Sequence, residues 1–178
     1  AGVGKSRLVA ELRAAASVRG LTVVQGRCFE EDRTFPYAPV LDLLRHFCAG
    51  RATTELAHLF APIAPELTQW LPELAALPAA AASGHDPEQQ KRRLLQSLTQ
   101  FVQRLAEAGR GAGQPLLLII EDLHWCDDAS LEWLLYMARQ LVSQPLLVLL
   151  TYRHEENHPL LHQLLAALAR MPLVSELL

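Results

Sequence analysis

Leu116-Leu117-Leu118-Ile119-Ile120-Glu121-Asp122 is the stretch on which the reading of this chain turns. Its leading residues are apolar without alternation, which predicts a strand covered on both faces, as in a parallel sheet. Two carboxylates follow at the strand's C-terminal end. They are costly there unless something cationic uses them, or else they mark where the strand emerges into solvent. Ligands gather at the C-terminal ends of strands in open parallel sheets. Glu121 and Asp122 are therefore candidates for holding a divalent metal, partly through water, and for orienting an attacking water.

Working outward, strand and helix patterns alternate. Upstream, Leu94, Leu95, Leu98, Phe101, Val102 and Leu105 form an amphipathic stripe that predicts a long helix ending near Gly109, then a loop over Gly111–Pro115. Downstream, Asp127 or Asp128 can cap a helix whose inner face is Leu131, Leu134, Leu135, Ala138, Leu141 and Val142. Pro145 precedes a second apolar strand, Leu146–Tyr152. Asn157 is a cap for a helix with Leu160, Leu161, Leu164, Leu165 and Leu168 inward, and Leu173–Leu178 reads as the start of a further strand.

Nearer the N-terminus, a helix begins at or just after Gly4, with Leu8, Leu12 and Ala15 inward and Gly20 as its stop. Leu21–Gln25 reads as a strand, Gly26–Pro39 as an acidic loop and Val40–Cys48 as a helix. Arg51–Leu77 reads as short helices interrupted by Pro62, Pro65 and Pro72, and Ala79–Pro87 as a surface loop. The class is α/β with a mostly parallel sheet covered by helices.

Ala1-Gly2-Val3-Gly4-Lys5-Ser6 opens the chain. Gly4-Lys5-Ser6 supply the last positions of the phosphate-loop pattern G-x-x-x-x-G-K-[ST], whose leading glycine would lie two residues before Ala1. Phosphate oxygens need several backbone N–H groups converging on one point. Gly2 and Gly4 let the backbone wrap closely, with Val3 between them in the nucleotide loop, and the following helix aims its positive end at the same anion. Lys5 would reach the β- and γ-phosphates and the Ser6 hydroxyl would ligate Mg²⁺. The plainer reading is a glycine turn before an ordinary helix. Arg153, in Thr151-Tyr152-Arg153, either reaches a γ-phosphate or pairs with Glu155 or Glu156 on the surface. His124 and Trp125 read as packing, and Asp127 and Asp128 as helix caps.

Composition narrows the classes. A chain of 178 residues that is 51% apolar suits one ordinary core. Acidic and basic residues are intermixed, and no Lys/Arg block offers a footprint for DNA or RNA. Cys28, Cys48 and Cys126 are odd in number and far apart, which argues against disulfides or zinc and fits a reducing cytoplasm. The apolar runs are too short to span a bilayer, so no membrane partner is expected.

Taken together, Gly2–Leu8, then Phe35-Pro36-Tyr37-Ala38-Pro39 leading into Leu41–Arg45, then Glu121–Asp127, then Leu150–Arg153 resemble the AAA-type ATPase domain of STAND signalling proteins. The resemblance is closest to large ATP-binding LuxR-type transcriptional regulators and related domains joined to nucleotide cyclases or kinases, and it runs nearly the whole chain. It implies a three-layer α/β/α P-loop NTPase fold with sheet order 5-1-4-3-2. Leu21–Gln25 would be strand 2, Leu116–Ile120 strand 3, Leu146–Tyr152 strand 4 and Leu173–Leu178 strand 5. Strand 1 and the helical lid would lie outside residues 1–178, leaving an incomplete domain of low stability or weak nucleotide affinity. It further implies Mg²⁺ and ATP as ligands, with Arg7 joining Gly2–Ser6 in the nucleotide loop and Ser6 and Glu121 at the metal. Glu121 and Asp122 form the acidic pair and Arg153 the sensor.

The usual acidic order is Asp then Glu or Asp, whereas here Glu precedes Asp, so ATP binding is expected with slow hydrolysis. The leading expectation is a conformational switch. Its partners would be ATP and ADP, a helical sensor region, an output domain and a nucleotide-dependent oligomer. The alternative is a P-loop kinase or other dedicated phosphoryl-transfer enzyme. The Ala/Leu/Pro-rich Gly50–Ala112 region, which lacks an Arg-rich closing segment, argues against it.

Overall fold

A computed structural model describes residues 4–49, 51–61, 63–68, 70–71, 74, 86–141, 144–153, 158–172 and 174–177. Three parallel strands, β1 (Thr22–Arg27), β2 (Leu116–Glu121) and β3 (Leu146–Leu150), lie side by side in that order. These are strands 2, 3 and 4 of the expected 5-1-4-3-2 sheet, in the expected adjacency. Thr22 is opposite Leu116 and Arg27 opposite Glu121, while Leu116 and Ile120 face Leu146 and Leu150.

The unalternating run of β2 has a direct cause. Leu117 and Ile119 pack under α1 (Lys5–Val18) with Val9 and Ala16. Leu116, Leu118 and Ile120 enter the larger core on the opposite face. That core is built by α2 (Ala38–Cys48), α3 (Thr53–Phe60), α4 (Ala64–Leu67), α5 (Pro87–Gly111), α6 (Asp128–Gln140) and α7 (Pro159–Leu168). Phe101 of α5 stacks on Phe60 and meets Phe47 edge-on, which locks α2, α3 and α5 together.

Several expectations need correcting. The inner stripe of α1 is Val9, Leu12 and Ala16, one residue off the predicted Leu8, Leu12, Ala15, and Leu8 is 47% exposed. Gly26 belongs to β1 rather than to a loop, because a Cβ there would lie 2.7 Å from the Pro39 carbonyl oxygen, where α2 crosses the strand. Gly109 does not stop α5, which runs to Gly111. Its missing side chain instead admits the returning Gln114, whose N–H donates to the Gly109 carbonyl at 2.6 Å. Helix α2 starts at Ala38 with Pro39 in its first turn, where the absent N–H costs nothing. β3 stops at Leu150, before Thr151 and Tyr152.

Residues 174–177 are not a strand. A strand needs a ladder partner, and among the described residues β3 pairs only with β2. Pro62, Pro72, Val142, Asn157, Leu173, Leu178 and most of the Ala79–Pro87 loop lie outside the described residues. No helix among the described residues is long and apolar enough to cross a membrane.

Candidate functional site

Helix α1 leaves its C-terminal end where β1 and β2 begin. The Leu21 N–H donates to Ala16 at 2.9 Å and the Thr22 N–H to Pro115 at 3.0 Å. A helix of 14 residues is about 21 Å long and a six-residue strand about 20 Å. Val9 and Ala16 pack with Leu117 and Ile119, so α1 runs back along the sheet from the start of the strands, with its N-terminus towards their C-terminal ends. Lys5 and Ser6 are thus brought to the same end of the sheet as the acidic pair.

The start of α1 has an unusual electrostatic make-up. Gly4 stands before it in the left-handed region, φ 78°, which glycine adopts without strain. No side chain caps the helix, and its first turn holds no acid. The first helical hydrogen bond is from the Leu8 N–H to the Gly4 carbonyl, so the amides of Lys5, Ser6 and Arg7 have no intrahelical acceptor. Lys5 and Arg7 add cationic charge at the positive end of the helix, where it is unfavourable unless an anion is present. Lys5 is half-buried and Ser6 exposed. A phosphate fits this donor set. Arg7 is exposed, and its Nε donates to Glu11 at 2.8 Å. Gly2 and Val3 lie outside the described residues.

Both carboxylates at the end of β2 are held by β1. Gln25 Nε2 donates to Glu121 Oε1 at 2.5 Å. Arg27 grips Asp122 Oδ2 through Nε at 3.1 Å and Nη2 at 3.0 Å. Asp122 sits in the left-handed region at φ 59°, uncommon for a residue with a Cβ. Thr151 fixes that turn. Its Oγ1 accepts the Asp122 N–H at 3.1 Å, its carbonyl accepts the Leu123 N–H at 2.8 Å, and its own N–H donates to Ile120 at 3.1 Å. The site reading from sequence missed Gln25, Arg27 and Thr151. A polar pair two residues apart at the C-terminal end of an apolar strand was the available signal for the first two. Arg153 is exposed beyond the end of β3, and Glu155 and Glu156, its alternative partners, lie outside the described residues.

Behind the acids, Asp127 is buried and caps α6 as expected. It accepts the Ser130 N–H at 2.9 Å and the Ser130 hydroxyl at 2.6 Å. It also accepts the Tyr37 N–H at 2.9 Å, which ties the Phe35–Pro39 turn to the loop after β2. Tyr37 is itself left-handed, φ 62°, and its ring meets Trp70 edge-on. His158 Nε2 lies 3.0 Å from the Cys126 carbonyl, anchoring the start of α7 to the same loop. Hydrogen bonding with the Cys28 thiol, then burial, hold the Cys126 thiol well above its usual range, so it stays protonated. All three cysteines are buried thiols outside any disulfide. His124 is buried against Trp125, with ring centroids 5.1 Å apart, in keeping with a packing role.

No curated protein and no solved structure matches the chain significantly. Residues 1–149, which reach from the phosphate-loop motif through all but the last residue of β3, match the family described as the AAA ATPase domain. The match covers most of the chain and agrees with the parallel sheet flanked by helices, and the chain belongs to the AAA ATPase domain family.

Proposed function

We propose that the chain binds Mg·ATP between the start of α1 and the acidic end of β2, and hydrolyses it slowly as a conformational switch. A AAA ATPase domain binds nucleotide. The observation that supports the finer reading is the uncapped, acid-free N-terminus of α1, bearing Lys5, on a helix that runs antiparallel to the strand ending in Glu121. In this reading the Lys5 ammonium and the amides of Lys5 and Ser6 bind the phosphates, completed by the Gly2–Gly4 loop. Ser6 and Glu121 would hold Mg²⁺, which when bound neutralises phosphate charge. Asp122 would orient the attacking water and Arg153 would contact the γ-phosphate.

Slow turnover follows from the two groups that restrain the acids. Asp122 is engaged by Arg27, and a carboxylate in a two-point guanidinium contact is a poor acceptor for a water proton. Hydrolysis then requires that contact to open. Such a domain suits a multidomain bacterial signalling or transcriptional regulator in the cytoplasm, where ATP holds one arrangement of the neighbouring domains and hydrolysis resets it. Buried cysteines outside any disulfide are compatible with that compartment. The reading also has a further strand seated along the open edge of β3, where Leu147 is 52% exposed although every residue of the strand is apolar.

Titrating Mg·ATP into the full chain and its Lys5→Ala variant tests the site. Losing a charged hydrogen-bond donor should weaken binding about 10- to 100-fold. Unchanged affinity would remove Lys5, and with it the loop, from the nucleotide site.

A further inference from the structure

We propose that the open edge of β1 accepts an extended, acidic segment of a partner protein as an additional strand. The edge can be read residue by residue. The Thr22 N–H donates to Pro115 at 3.0 Å and the Cys28 N–H to Glu121 at 2.9 Å. In a parallel ladder alternate residues turn both their N–H and their C=O to the same neighbour. The even-numbered residues of β1 therefore face β2, and Val23, Gln25 and Arg27 present their backbone groups outward. The register runs without a bulge from Thr22 to Arg27, the strand contains no proline, and among the described residues no strand pairs with its outer side.

What lies along this edge is a groove of about 470 Å³, walled by α1 through Arg13 and by α2 through Leu43 and Phe47. Phe29, 44% exposed, stands at one end. The length of β1 matches an incoming segment of about six residues. Charge selects the occupant. Arg13, Arg27 and Arg51 border the groove, with Asp42 the one carboxylate in its lining among the described residues. Arg27 and Arg51 already meet Asp122 and Glu55, whereas Arg13 has no ion-pair partner among the described residues. An acidic segment complements this rim, while a second copy of the chain would set arginine against arginine. The exposed amides and carbonyls are matched by a peptide backbone and not by a row of phosphates, which only accept hydrogen bonds. This inference does not need nucleotide to bind, since it uses only the outward backbone of β1 and the rim of the groove, although Gln25 and Arg27 in its lining also hold Glu121 and Asp122.

The test uses the full chain and a fluorescein-labelled peptide of alternating Glu and Val, compared with its Lys–Val counterpart. The acidic peptide should bind about tenfold more tightly than the basic one. On binding, the Val23, Gln25 and Arg27 amides should gain protection from hydrogen exchange. Arg13→Glu, at an exposed position on α1, should weaken the acidic peptide about fivefold. Val23→Pro removes an outward N–H and leaves the β2 ladder intact, so it should abolish the protection while the β2 amides stay protected. Equal binding of the two peptides, absence of protection at those amides, or unchanged affinity in Arg13→Glu would overturn the proposal. So would concentration-dependent self-association that protects the same amides, or tighter binding of a single-stranded oligonucleotide that leaves them unprotected.

Discussion

Replacing Asp127 by alanine should destabilise the domain by about 3 kcal/mol, a cost assembled from particular bonds. Loss of the α6 cap to Ser130 contributes about 1 kcal/mol. The Tyr37 N–H, buried and bonded only to Asp127, is then left unsatisfied at about 1–3 kcal/mol. Tyr37 is also held in a left-handed conformation that costs about 1 kcal/mol or more, so the Phe35–Pro39 turn has reason to relax once released. Urea titrations of wild type, Asp127→Ala, Asp127→Asn and Ser130→Ala separate these contributions. Asparagine keeps an acceptor oxygen, so Asp127→Asn should cost roughly half as much, and Ser130→Ala about 1 kcal/mol. For a chain of this size, 3 kcal/mol corresponds to a fall in Tm of about 9 °C. If Asp127→Ala costs no more than Ser130→Ala, the bond to Tyr37 contributes nothing and the account of this clamp is wrong.

Three further outcomes are expected. Gly26→Ala should cost about 1–3 kcal/mol by pressing a Cβ against the Pro39 backbone, and a neutral result in a thermal melt would mean α2 can withdraw freely. Arg27→Ala, by freeing Asp122, should raise single-turnover ATP hydrolysis about tenfold with unchanged ATP affinity, and a fall in rate would mean Arg27 positions Asp122 instead of restraining it. Stability should decline from about pH 10 towards 12. The Tyr37 hydroxyl is pushed up to about 12 by burial, then by the Glu132 and Asp127 charges, and the Tyr152 hydroxyl to about 12 by burial and Glu176. Both keep their protons in the folded chain after the unfolded chain has lost them, so the stabilisation is full below pH 10 and is lost as pH rises. Tyr37→Phe should flatten that decline in pH-dependent urea titrations.

The elements most readable from the sequence were those whose signal is local. The unbroken apolar run of β2 announced a doubly covered strand, and Asp127 announced a cap because its bond to Ser130 spans three residues. What escaped depended on residues far apart in the chain. The contacts of Gln25 and Arg27 with the acids span about 95 residues and exist only in the β1–β2 register. Gly26 and Gly109 were taken as punctuation because a turn glycine and a clearance glycine look alike until the neighbouring backbone is known. The face of α1 was misjudged by one position because Leu8 and Val9 are both apolar and local periodicity does not choose between them.

Among the described residues β3 has a strand on one side only, and the make-up of its other flank bears on how the protein behaves in concentrated solution. Leu-Leu-Val-Leu-Leu is uncharged, free of proline and rich in residues that favour extended pairing, and it carries a projecting Leu147. Sequences of this kind template stacking with copies of themselves wherever their backbone is uncovered. Any state that bares this strand, including a folding intermediate, is therefore a nucleus for fibrillar association, and solubility should depend on whatever keeps it sealed.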